Sequence, residues 1–180
     1  MRKFLLIIAT VISLPALADN MQGFYAGAAM GFVDGNTEDA AENGVDFRSI
    51  ELTGGYKYNS WLGGEIRVGT GASSEAYTVG QGDTAYDINV DIDHYESIYY
   101  RAESANAIAK LYGLLGYSNV QTTNSLGDAS ASASESGASF GAGVGFVMNE
   151  DTNLNFEYRQ LINSSDNDFS ILSIGFDYRF

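Results

Sequence analysis

The sequence predicts an all-β protein: an eight-stranded, antiparallel, up-and-down transmembrane β-barrel. Three observations carry this. Eight runs of about ten residues alternate apolar side chains with small or charged ones, the period-two rhythm of strands. The connectors between the runs alternate short and long. Charged residues inside the runs collect on the face opposite the apolar one.

The chain begins with what reads as an export signal. Arg2 and Lys3 precede an apolar run from Phe4 to Leu14, too short to span a bilayer comfortably. "PALA" then places small residues at 16 and 18, before Asp19. This layout predicts a signal peptide over 1–18 with cleavage after Ala18, and one barrel domain over 19–180. An N-terminal anchor helix is the alternative. No later segment approaches the roughly 20 apolar residues of a spanning helix, so membrane insertion would require strands. Without Arg2 and Lys3, seven bases face 23 acids, a balance unsuited to gripping nucleic acid. The 12 Tyr and 10 Phe argue against a disordered acidic chain. There is no Cys, so no disulfide frames the fold.

The first run is "GFYAGAAMGF" (23–32), with Phe24, Ala26, Ala28, Met30 and Phe32 on one face. The second, 48–58, sets out Ile50, Leu52, Tyr56 and Tyr58; the third, 61–70, Leu62, Ile66 and Val68. The fourth, 94–103, is less regular, with Ile98, Tyr100 and Ala102 as its apolar set. The fifth, 107–118, aligns Ala109, Leu111, Leu115 and Tyr117; the sixth, 139–148, Phe140, Ala142, Val144, Phe146 and Met148. The seventh, 152–161, aligns Leu154, Phe156 and Tyr158. The eighth closes the chain with Leu172, Ile174, Phe176, Tyr178 and Phe180. Tight turns are expected at 59–60, 104–106 and 149–151, and longer connectors at 33–47, 71–93, 119–138 and 162–168. Short periplasmic turns and longer external loops are the barrel arrangement, and an even strand number puts both termini in the periplasm.

Opposite the apolar faces lie Lys57, Arg67, Arg101, Lys110, Arg159 and Arg179, with Glu51, Glu65, Glu103, Glu157 and Asp177. Arg48 is the one base of the domain outside this set. A Lys or Arg on the lipid face at mid-bilayer costs about 2–4 kcal/mol, so these eleven residues are expected inside as ion pairs. Acid and base two apart share a face, as in "EIR" (65–67), "EYR" (157–159) and "DYR" (177–179). Glycines and serines on the same face leave room for long side chains in a narrow barrel. Leu172, Ile174, Phe176, Tyr178 and Phe180 are expected to face lipid. The last strand must meet the first, because an open sheet edge is not tolerated in hydrocarbon.

At these residues the chain resembles a known family. "GFYAGAAMGF" is similar to the first strand of OmpA-type transmembrane domains and of OmpX- and Ail-like eight-stranded barrels. "KLYGLLGYS" (110–118), "GAGVGF" (141–146) and "LNFEYRQL" (154–161) resemble later strands of the same family, and the ending at Phe180 resembles the signal read by the outer-membrane assembly machinery. The resemblance implies a monomeric barrel in a Gram-negative outer membrane, in contact with lipid and lipopolysaccharide. Members of the family include structural proteins, adhesins and serum-resistance factors, so an extracellular partner held by the external loops is a further implication. It brings no cofactor.

Candidate chemistry is sparse. His94 is the single histidine, and Ser97 three residues on would point to the other face of a strand, poor geometry for a base and its nucleophile. No catalytic residue is therefore assigned, and the protein is read as a non-enzyme. In "YDINVDIDHY" (86–95), Asp87, Asp91 and Asp93 share a face with Asn89. A calcium loop is excluded because Ile92 and Ile98 stand where Gly and Glu are needed. Either the fourth strand continues above the membrane or the acids form a shallow cation site. "ASASASESGAS" (129–139) reads as a mobile external loop. Acids such as Asp34, Glu38, Asp39, Glu42, Asp46, Glu75, Asp83, Asp128, Asp166 and Asp168 fall in external loops or their roots. This negative rim would repel anions and attract divalent cations or basic partners, or would serve solubility in a saline habitat. Function then divides between envelope structure or surface adhesion, a low-conductance porin-like channel, and a lipid A-modifying enzyme.

Overall fold

The computed structural model describes residues 22–37, 45–73, 75–79, 86–104, 108–126, 129–163 and 167–180. The expected signal peptide (1–18) and several acids of the expected rim (Glu38, Asp39, Glu42, Asp83, Asp128 and Asp166) lie outside these residues. The described residues form nine strands: β1 (Gly23–Thr37), β2 (Val45–Lys57), β3 (Leu62–Gly71), β4 (Glu75–Val79), β5 (Tyr86–Glu103), β6 (Ala109–Leu126), β7 (Ala129–Val147), β8 (Thr152–Asn163) and β9 (Asn167–Arg179). Eight of them close an antiparallel barrel in the order β3-β2-β1-β9-β8-β7-β6-β5, with β5 returning to β3. The ninth, β4, stands outside the ring and pairs with β5 through Glu75↔Val90 to Val79↔Tyr86.

Closure depends on the ends of the chain. β9 pairs with β1 from Tyr25↔Arg179 to Thr37↔Asn167, and the Phe180 N–H donates to the Phe24 carbonyl at 2.9 Å. The terminal strand thereby leaves no unpaired edge along the seam. Two of the short turns at this end are locked by asparagine. Asn59 Oδ1 accepts from the N–H groups of Trp61 and Leu62 at 3.0 and 2.9 Å. Asn149 Oδ1 does the same for Asp151 and Thr152, at 3.0 and 2.8 Å. Each side chain thus replaces a backbone partner that the reversal removes.

Alternation sorts the two faces. Leu52, Met30 and Leu115 are 64–67% exposed on the outside of the cylinder, while Arg159, Glu51 and Ser139 within it are at most 1% exposed. A solvent-facing shell of Leu, Ile, Val and Phe around a charged interior is the reverse of a water-soluble protein's arrangement.

Three expectations are corrected. The serine-rich stretch 129–139 is strand, not loop, because β6 and β7 pair without interruption from Ala109↔Phe146 to Leu126↔Ala129. Its small side chains pack flat, and its hydroxyls bond across to β6: Ser132 with Thr123 (2.8 Å), Ser134 with Asn119 (2.9 Å) and Ser136 with Tyr117 (3.0 Å). The connector expected over 71–93 holds β4, and its second half is the start of β5, which runs unbroken from Tyr86 as the continuation of the fourth strand, one of the two readings of 86–95. Strand parity also breaks twice, at bulges between Ile92 and His94 and between Gln160 and Ile162.

Candidate functional site

The charged residues inside the barrel form two layers. Arg67 is the centre of the first. Its Nη1 and Nη2 donate to the two carboxylate oxygens of Glu157 at 2.6 and 2.8 Å, a bidentate pair joining β3 to β8 across the lumen. Nη1 also reaches Glu51 Oε1 at 3.1 Å, and Nε reaches Glu65 Oε1 at 2.7 Å. Arg159 closes the circuit, with Nη2 on Glu51 Oε2 at 2.5 Å and Nε 2.7 Å from Glu157. Each planar guanidinium serves several carboxylates at once, which a lysine could not do.

Glu103 is the centre of the second layer, nearer the short turns. Lys57 pairs with it directly, Arg101 Nε donates to it at 3.1 Å, Arg179 Nη2 at 3.4 Å, and Lys110 Nζ lies 4.0 Å away. Asp177 takes Arg179 Nε at 3.3 Å and the amides of Asn153 and Asn155 at 2.7 Å each. Arg101 links the layers, 3.5 Å from Glu65 and stacked 3.7 Å above the Tyr112 ring. All eleven charged residues are buried, and six bases against five acids leave a single excess positive charge. Such balance is what makes burial of so many ions tolerable.

Sequence reasoning missed the tyrosines that complete this interior. Tyr25 donates to Glu65 Oε2 at 2.7 Å, and the Tyr99 hydroxyl sits between Ser118 (3.0 Å) and Ser139 (2.7 Å). The signal was present: Tyr99 and Tyr112 share the parity of the charged residues in their strands, and Tyr25 lies opposite the apolar set of its own. Glycines make room for the rings. A Cβ on Gly55 would meet the Tyr25 ring, and one on Gly143 the Tyr112 ring. Between the layers, Tyr25, Arg67, Arg101, Tyr112, Glu157 and Asp177 border a cavity of about 30 Å³, room for about two waters.

At the other end of the barrel, where the strands are long, the interior becomes apolar. Val33, Phe47, Ile92, Tyr95, Val120, Leu161, Ile162, Phe169 and Ile171 form one buried cluster. The two bulges build it. By inverting parity they turn Ile92 and Ile162 inward, while Leu161 stays inside as the extra residue. No sequence pattern of period two could have shown this.

The remaining candidates do not assemble. Ser97 points inward and bonds Ser118 at 2.7 Å, whereas His94 lies at the β5 bulge on the alternate face. The Asp93 carboxylate accepts from Thr123 at 2.7 Å, Asp91 is half-buried, and the Asp87 side chain lies outside the described residues. Among the described residues no group of three or more His, Cys, Asp or Glu gathers as a metal site. Leu172, Ile174, Phe176 and Tyr178 are exposed on the outer face, and Phe180 is half-buried at the rim.

A family model described as "Outer membrane protein beta-barrel domain" matches residues 4–180. The chain belongs to the outer membrane β-barrel family. Ail, the attachment invasion locus protein of Yersinia pestis, is similar in structure: TM-score 0.59 at 19% identity, covering 88% of this chain and 99% of that one. Neisserial surface protein A superposes with a TM-score of 0.63 at 15% identity (88% and 97% covered). The outer membrane protein OprG of Pseudomonas aeruginosa gives 0.59 at 17% (91% and 98% covered). At these identities the likenesses bear on the fold. No curated protein matches the sequence significantly.

Proposed function

We propose that this is a non-conducting, non-enzymatic, monomeric outer-membrane barrel, exported behind a signal peptide cleaved after Ala18 and inserted by the outer-membrane assembly machinery. Its apolar shell, including Leu172, Ile174, Phe176, Tyr178 and Phe180, faces lipid and the lipid part of lipopolysaccharide. Its long-stranded end lies outside the cell and offers an acidic surface to an extracellular partner, as an envelope or adhesion protein would. The observation that carries the reading is the Arg67 knot, which ties Glu51, Glu65 and Glu157 together across the lumen. Ions crossing the barrel would have to break it, and beyond it meet the apolar cluster around Phe47 and Leu161. The non-enzymatic part rests on His94 and Ser97 facing apart, since the fold itself hosts unrelated functions.

Planar-bilayer recording of the purified chain tests the plug. The expected result is no reproducible conductance step; a stable large open channel refutes it. Mass spectrometry of lipid A from cells with and without the protein tests the non-enzymatic assignment. Unchanged acylation is expected, and a lost or added chain overturns it.

A further inference from the structure

The outer wall of the barrel is not evenly studded. Across β1, β2, β3 and β5, in the half nearer the short turns, it carries a hollow of about 1050 Å³. The floor is small: Ala26 on β1 pairs with Gly54 on β2, and a Cβ on Gly54 would meet only Ile66, at 3.9 Å. Leu52, Val68 and Ile98 stand exposed around its far end. At the end nearer the turns, Phe24, Tyr56 and Tyr58 form a ridge of rings with successive centroids 4.7 and 5.7 Å apart, and the Tyr58 side chain leans across Gly64. The ridge carries hydroxyls, and that of Tyr56 meets the Gln22 amide at 3.5 Å. Among the described residues no charged side chain points into the hollow; Glu65, beneath its floor, is turned into the lumen toward Arg67.

We propose that this hollow holds one acyl chain of a phospholipid from the periplasmic leaflet, its ester end at the tyrosine ridge and its methyl end toward Leu52. The inference rests on the reading that the short turns face the periplasm. Length selects the occupant. Tyr58 and Leu52 lie six residues apart, about 20 Å of strand. A tilt of about 45° turns that into about 14 Å of membrane depth, and one leaflet of hydrocarbon is about 15 Å deep. Chemistry selects it too. β1, β2, β3 and β5 are paired with one another behind the floor, so an added peptide strand finds no free backbone group there. An alkyl chain asks only for contact, and in the hollow it touches floor and flanks at once, where a smooth convex wall offers one side. Tyrosine rings at headgroup depth suit the ester end.

The test uses the full chain, extracted from outer membranes in mild detergent, and native mass spectrometry. One retained phospholipid per chain is expected. Ala26→Leu with Gly54→Leu fills the floor and should lower the retained fraction about tenfold or more, since the contacts that hold the chain are lost. The variant should keep the heat-dependent electrophoretic shift of a folded barrel. Gly113→Leu with Ala142→Leu, a paired small couple on the outer wall away from the hollow, should leave retention unchanged. Equal losses from both variants, or no retained lipid in the native chain, overturn the proposal. So does a lipid-free dimer that the filled floor abolishes, which gives the hollow to a second copy. Photolabelling in nanodiscs uses the native chain and does not depend on a variant folding. A phospholipid with a diazirine at the chain end should label around Leu52 and Val68, and one with the diazirine beside the ester around Tyr56 and Tyr58. The reverse, or labelling spread evenly around the barrel, overturns the proposal. An impermeant maleimide checks the orientation separately: Ser60→Cys should react only after the outer membrane is permeabilised. Reaction on intact cells defeats the orientation and the periplasmic-leaflet occupant with it, whereas lost retention with Ser60→Cys protected defeats only the lipid site.

Discussion

Replacing Arg67 by methionine keeps a long, flexible side chain but removes the charge that three carboxylates share. Glu157 would lose a bidentate partner at 2.6 and 2.8 Å, Glu51 a contact at 3.1 Å, and Glu65 one at 2.7 Å. Arg159 would still serve Glu51 and Glu157, and Tyr25 would still serve Glu65. Breaking one buried pair commonly costs about 3–5 kcal/mol. Loss of a shared centre, softened by these remaining partners, places the expected cost in that range. Urea titration of the barrel in lipid vesicles, followed by tryptophan emission and by the mobility of unheated samples, measures it. The midpoint should fall with an unchanged slope, as for a native-state effect. Combining Arg67→Met with Glu157→Leu should recover part of the loss, because an apolar pair leaves less buried charge unmatched. A cost below about 1 kcal/mol for Arg67→Met, the level of an exposed pair, would refute the reading of the interior as a tightly coupled network.

Further outcomes follow from neighbouring features. Gly55→Ala drives a methyl group into the Tyr25 ring, so a loss of about 1–3 kcal/mol is expected, read by the same titration. Leu161→Ala hollows the fully buried apolar cluster and should cost about 2–5 kcal/mol, without opening a conductance in bilayer recordings because the Arg67 layer remains. Leu52→Arg, on the outer face of β2, should cost about 2–4 kcal/mol in lipid; Asn119→Arg, on the outer face of β6 among hydroxyls, should cost little, and the contrast locates the membrane boundary.

The eight crossing strands were legible because lipid and lumen impose opposite demands on successive residues. Leu172, Phe176 and Tyr178 could not exchange places with Ser173, Asp177 and Arg179 without putting ions in hydrocarbon. The same parity contained Tyr25, Tyr99 and Tyr112, but aromatic residues are at home on either face, so their inward direction did not stand out. The partners within the ionic interior were not readable, since Arg67 meets Glu157 ninety residues away. Strand length above the membrane was obscured for another reason. The alternating Ser and Ala of 129–139 have little apolar contrast, and what makes them a strand is the unbroken backbone pairing with β6, to which hydroxyl bonds to Thr123, Asn119 and Tyr117 are added. The apolar end of the lumen was hidden by two bulges, each of which reverses the rhythm on which the reading of sequence depends.

The chain has no native cysteine, so single cysteines along 172–178 can each carry a spin label in vesicles. Collision with a lipid-soluble relaxer against a water-soluble one then reports which face each position occupies. High lipid contact is expected at 172, 174, 176 and 178 and low contact at 173, 175 and 177. An inverted phase, or no alternation at all, would contradict the inside-out arrangement.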